Sequence, residues 1–184
     1  MKFNLILIMD YQIGVIGSSN GDVDFSDKAR EVGLEIAKSG STLLTGACTG
    51  VPQAAVQGGE EADGSTIGIS PANDREEHVE RFGYPVDGFD SLIFTGLGLK
   101  GRNVVLVRSC DAVIAIDGKL GTLNELTIAH GERKVIGLLR GVSGASEEFD
   151  RVSEEIGRSG RVIIGKEDPS GLVSEVLDSL NNPD

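Results

Sequence analysis

GRNVVLVRSCDAVIAIDGKLGTLNE, residues 101–125, decides the fold of this chain. Its centre, Asp111-Ala112-Val113-Ile114-Ala115-Ile116, is a short apolar run whose composition predicts a strand buried on both faces. That run empties into the glycine-spaced turn Asp117-Gly118-Lys119-Leu120-Gly121-Thr122, after which a helix is expected over 122–131. Glycines let the backbone pass close to a ligand and unpaired amides at a helix start attract anions, so a strand-turn-helix of this kind suits a phosphate. Glu125 then falls in the first helical turn. Arg102, 23 positions earlier, stands near the start of the preceding helix. A guanidinium and a carboxylate brought to one rim form the candidate site. The same letters also carry a plainer reading: Thr122-Leu123-Asn124-Glu125 spells a capping box, and Arg102 by itself reads as a solvated surface residue.

Working outward, the chain alternates. Gln12-Ile13-Gly14-Val15-Ile16-Gly17 predicts the first strand, ending in the turn Ser18-Ser19-Asn20-Gly21-Asp22. An amphipathic helix is expected over about 25–38, with Ala29, Val32, Ile36 and Ala37 on one face, and Gly40 closes it. Thr42-Leu43-Leu44-Thr45 is a second buried strand, and Gly46-Ala47-Cys48-Thr49-Gly50 turns into a helix whose Pro52 suits an early position. A strand over 65–70 precedes a long polar segment, 71–88, of the kind that serves as a lid or an interface arm. Strands over 91–95, 111–116, 135–139 and 161–164 then alternate with helices over 101–108, 122–131, 146–156 and 170–180. Leu172, Val173, Val176, Leu177 and Leu180 form the last apolar face. Strands separated by helices pair in parallel through right-handed crossovers, which predicts a Rossmann-like α/β fold: an open, doubly wound parallel sheet of about seven strands with helices on both faces. Ligands of such sheets sit beyond the carboxyl ends of the strands. The turns on that edge supply the candidate binding residues: Gly17 and Ser18; Gly46, Thr49 and Gly50; Gly118, Lys119, Gly121 and Thr122.

A chain of 184 residues with 39% hydrophobic content fits one globular domain over 1–184. The run Phe3-Asn4-Leu5-Ile6-Leu7-Ile8-Met9 is too short to span a membrane and lacks a cleavage site, so residues 1–10 are expected to add an edge strand or a dispensable extension. A net charge of -12 without a basic cluster argues against nucleic acid and anionic membrane as partners. High-salt adaptation or plain solubility explains the same excess of acid. Cys48 and Cys110 both neighbour apolar strands and read as small core residues in a reducing, cytoplasmic compartment.

Several chemistries are set aside. Gly14, Gly17 and Gly21 miss the G-x-G-x-x-G spacing, and no acidic residue closes the second strand to hold a ribose. Gly118-Lys119 is followed by Leu120 where a phosphate-binding P-loop needs a Ser or Thr. There is no nucleophile elbow and no Cys/His metal cluster. His78 and His130 are isolated in sequence and read as packing or surface residues, with His78 the better placed to meet a ligand because it lies in the long segment.

Thr45-Gly46-Ala47-Cys48-Thr49-Gly50, with Ala54-Ala55, Gly58-Gly59 and Ile67-Gly68-Ile69-Ser70-Pro71, resembles the first glycine block of the LOG ("lonely guy") family, whose members long carried a lysine decarboxylase label. The second block, Arg102 together with Gly118-Lys119-Leu120-Gly121-Thr122-Leu123-Asn124-Glu125, resembles that family's catalytic arginine and its P-G-G-x-G-T-x-x-E motif. The resemblance covers most of residues 12–140. It implies a Rossmann-like homodimer or homotetramer that hydrolyses the N-glycosidic bond of nucleoside 5'-monophosphates, without a metal or required cofactor. On that reading Gly118, Gly121 and Thr122 hold the 5'-phosphate, Arg102 orients the nucleotide and Glu125 acts at the ribose. A carboxylate beside an oxocarbenium-like centre stabilises it electrostatically and orients water.

The chain departs from the family pattern on the catalytic signature. Asp117-Gly118-Lys119 stands where Pro-Gly-Gly is common, placing an acid near the expected phosphate with Lys119 to offset it. Around Arg102 only the arginine of the signature survives. Gly101-Arg102-Asn103-Val104 with Asp111-Ala112-Val113-Ile114 is closer to the branch of molybdenum cofactor carrier proteins. That resemblance implies the alternative, a non-catalytic carrier or sensor of a phosphorylated ligand such as molybdenum cofactor. A ligand-free scaffold is the third reading. Lysine decarboxylation is not expected, because that chemistry needs pyridoxal phosphate and no lysine sits in a recognisable motif to hold it.

Overall fold

The computed structural model describes residues 10–19, 23–156 and 162–182. The expectation for the run at 3–9 therefore lies outside the described residues. Among the described residues fourteen elements follow in order: β1 (Gln12–Gly17), α1 (Val23–Lys38), β2 (Thr42–Thr45), α2 (Val51–Glu61), β3 (Thr66–Ser70), a π-helical turn (Glu77–Arg81), β4 (Ser91–Phe94), α3 (Gly98–Arg108), β5 (Ala112–Ile116), α4 (Leu120–Gly131), β6 (Val135–Leu139), α5 (Ala145–Ile156), β7 (Ile163–Lys166) and α6 (Pro169–Asn181).

The seven strands form one parallel sheet in the order β4-β3-β2-β1-β5-β6-β7. The expected open, doubly wound architecture is the observed one. Successive side chains of a strand point to opposite faces, and β5 shows what this does in a sheet covered on both sides. Ala112, Ile114 and Ile116 enter a core shared with α1, α2 and α6 through Val32, Ile36, Val51, Leu172 and Val176. Val113 and Ala115 enter a second core with Leu106 and Val107 of α3, Leu126 and Ala129 of α4 and Phe149 of α5. Every residue of β5 is buried, as its apolar run requires. Strand β1 pairs with β2 on one side and β5 on the other, so chain order reverses beside β1. A crevice opens at the carboxyl ends of such strands.

Several local expectations are corrected. Helix α4 begins at Leu120, not Thr122, because Asp117 (φ 55°) and Gly118 (φ 101°) both turn through the left-handed region and start the helix sooner. Lys119 is then the N-cap, no side-chain cap bond forms, and the capping box does not exist. Glu125 moves to the second turn. Helix α3 begins at Gly98, which likewise carries Arg102 into a second turn. The long segment after β3 is ordered around its π-helical turn. Strand β7 runs later than the expected 161–164. Among the described residues no helix is long and apolar enough to cross a membrane.

Candidate functional site

The carboxyl ends of β1, β2 and β5 enclose a cleft of about 200 Å³. Strand β1 delivers Gly17 and Ser18 to it, the β2 turn delivers Gly46 and Cys48, and the β5 turn with α4 delivers Lys119, Gly121, Thr122 and Glu125. Helix α3 contributes Leu99, Lys100, Arg102 and Asn103 at spacings that share one helical face. Arg102 and Glu125, linked only by motif in the sequence, thus line one hollow.

Arg102 is no surface residue; it is 5% exposed. Its Nη1 donates to the Ile69 carbonyl of β3 at 3.2 Å, and its Nε is buried without an acceptor. A guanidinium cannot shed its charge, so burial there is stabilised only by what surrounds it. Glu125 is 7% exposed. Burial lifts its carboxyl from 4.5 to about 7, while Arg102 and, less strongly, Lys100 pull it back. The two act on each other by charge without a direct salt bridge. With its amide nitrogen turned toward α4, Asn103 donates to Glu125 Oε1 at 3.1 Å and to the Leu99 carbonyl at 2.9 Å. Burial pushes the Cys48 thiol up to about 11, against the pull of Arg102, so the thiol is neutral.

Gly46 explains how the arginine reaches this position. A Cβ at residue 46 would overlap the Arg102 guanidinium, so the absence of a side chain is what admits it. Ala47, next in line, sits at φ 52°, and Asp117 holds the matching place after β5 at φ 55°. Two non-glycine residues in the left-handed region at one sheet edge mark strain of the kind that clusters at ligand sites.

Three of the expected binding residues stand behind the cleft. Thr49 Oγ1 donates to the Ser19 carbonyl at 2.8 Å, and Gly50 (φ 74°) packs against Ser18, so both tie the first two turns together. The Gly118 carbonyl accepts from the Ala145 amide at 2.7 Å. Asp117 does not line the cleft as expected: its Oδ1 accepts from Ser143 Oγ at 2.9 Å, so the β6–α5 connection holds the acid away. His78 is fully buried and bonded to Ser70 and Pro85, while the His130 ring packs edge-on to Phe149. Cys110 is a free core thiol, and Cys48, expected to be core alone, also forms cleft wall. Asn103 and Leu99 follow from helical spacing around Arg102; Tyr84, which also lines the cleft, has no sequence signal. Among the described residues no group of three or more His, Cys, Asp or Glu gathers to hold a metal.

An uncharacterized protein of Archaeoglobus fulgidus is 35% identical over 129 residues, 70% of this chain and 80% of the relative. The molybdenum cofactor binding protein of Rippkaea orientalis matches with a TM-score of 0.78 at 30% identity, over 94% of this chain and 98% of that one. The molybdenum cofactor carrier protein of Chlamydomonas reinhardtii matches with a TM-score of 0.75 at 29% identity, over 94% and 99%. The likeness to the carrier branch, drawn from the residues around Arg102 and β5, agrees with these solved structures. A family model matches residues 10–173, and the chain belongs to the SLOG cluster4 family.

Proposed function

We propose that this cleft binds a small phosphorylated ligand of the nucleotide or pterin type, with the anion at the opening of α4. The observation that carries the reading is the convergence of the glycine turns after β1, β2 and β5 on one hollow that also holds Arg102 and Glu125. Unpaired amides and the positive end of the helix macrodipole favour an anion at Gly121 and Thr122, and Lys119 adds a full charge beside them. The orphaned Nε of Arg102 fits a site built for an acceptor the protein itself does not provide. The solved molybdenum cofactor binding and carrier proteins support the carrier form, in which the ligand is held and released unchanged.

A second reading is favoured by the Glu125 carboxyl alone, since an acid near 7 serves proton transfer at neutral pH. Here Glu125 takes a proton from water as the water oxygen bonds to C1' of a nucleoside 5'-monophosphate. The C1'–N electron pair leaves with the base, which takes up the proton that Glu125 removed from water, so ribose 5-phosphate remains and the carboxylate is restored. Incubation with AMP followed by mass spectrometry separates the two: a retained, unchanged ligand supports the carrier, and free adenine with ribose 5-phosphate supports the hydrolase. Failure of AMP, ribose 5-phosphate and phosphopterins alike to bind would overturn both.

Self-association into a dimer or tetramer belongs to the same proposal. Leu97 at the N-cap of α3 and Leu99 and Val104 on that helix are exposed, and Leu120 is 78% exposed where α4 begins. Light scattering of the purified chain tests it, a monomeric mass at micromolar concentration being the adverse result.

A further inference from the structure

The wall of the cleft contains one aromatic side chain, Tyr84, that the phosphate reading does not use. It stands on the arm between β3 and β4, and that arm is anchored. The Tyr84 amide donates to the His78 carbonyl at 3.1 Å. His78 Nε2 meets the Pro85 carbonyl at 2.9 Å, and its Nδ1 meets Ser70 Oγ, at the end of β3, at 2.8 Å. The buried imidazole therefore ties the arm to the sheet margin from which the site is built.

Rings fix the tyrosine further. His78 lies edge-on to Tyr84 with centroids 5.6 Å apart, and Phe82 stacks on it at 5.4 Å and 27°. On its own the Tyr84 ring is half-buried, and burial pushes its hydroxyl up, so the phenol is neutral. Pro52 and Leu99 line the cleft with it. The hollow thus has an aromatic and apolar wall in addition to the cationic, amide-rich opening of α4. A pre-set aromatic ring held by its neighbours offers stacking area at little entropic cost.

We infer that Tyr84 is a specificity-determining residue: its ring stacks on the flat heteroaromatic ring of the phosphorylated ligand and so selects purine- or pterin-bearing phosphates over simple sugar phosphates. The inference rests on the phosphorylated-ligand reading above. Stacking of a base on an aromatic side chain is strong enough to matter at this level.

Calorimetric titration of the full chain with AMP, neopterin phosphate and ribose 5-phosphate tests it. The intact chain is expected to bind AMP or neopterin phosphate about tenfold more tightly than ribose 5-phosphate, and the better of the two names the ring. Tyr84→Leu, which fills the space without a π-face, is expected to bring that ratio to within about twofold, and Tyr84→Phe to restore most of it. Retention of the ratio in Tyr84→Leu, or its loss in Tyr84→Phe as fully as in Tyr84→Leu, overturns the inference while ribose 5-phosphate binding keeps the phosphate reading alive. Absence of binding by all three in the intact chain overturns both.

Discussion

Gly46 lies against the Arg102 guanidinium so closely that no residue with a Cβ fits there while the arginine keeps its bond to the Ile69 carbonyl. The family-like glycine block and the family-like arginine, 56 positions apart in the chain, are thus two halves of one steric arrangement.

Gly46→Ala is expected to displace Arg102 and to lower stability by about 1–3 kcal/mol, the usual scale for overpacking a filled site. Urea unfolding measures the loss. A variant as stable as the parent, binding ligand equally well, shows that the guanidinium can relocate without cost.

Glu125 makes stability fall as pH rises. Its folded-state value, about 7, exceeds the ordinary 4.5. Between those limits the folded chain holds more protons than the unfolded one, so this carboxyl's contribution is fully present below about 4.5 and is lost as pH climbs through 7. Glu125→Gln escapes that loss and is expected to be more stable than the parent at pH 8, by up to about 3 kcal/mol, but not at pH 4.5. Equal changes in the urea midpoint at both pH values would contradict it.

Arg102→Met removes the charge that pulls both Glu125 and Cys48 downward. The Glu125 titration, followed by carbon-detected NMR of the side-chain carboxyl, is expected to move above its present position. Ligand affinity is expected to drop at least tenfold, and an unmoved titration would mean the two groups do not sense each other.

Lys119→Ala is expected to weaken ribose 5-phosphate binding several-fold and to flatten its salt dependence, since the lysine supplies the mobile charge at the anion end while the helix amides remain. An unchanged salt slope places the phosphate elsewhere.

Much of the architecture is written locally. The buried runs at β1, β2 and β5 and the apolar faces of α1 and α6 carry strand or helix periodicity that survives without tertiary help, so strand order along the chain, parallel pairing and the edge that carries the candidate site follow from the letters. Boundaries at the glycine turns do not. Thr122-Leu123-Asn124-Glu125 has the letters of a cap, yet the left-handed turn at Asp117 and Gly118 starts α4 two residues earlier and frees both polar side chains for the cleft.

The sequence by itself determined a doubly wound parallel sheet and named Arg102 and Glu125, because periodicity and glycine spacing are short-range properties of the chain. Only the tertiary structure decided that Arg102 is buried, that burial pushes the Glu125 carboxyl up to about 7, that Asp117 faces Ser143 instead of the cleft, and that Tyr84 stands in the wall. Burial, desolvation and the company a side chain keeps are set by residues distant in the chain, and no local pattern encodes them.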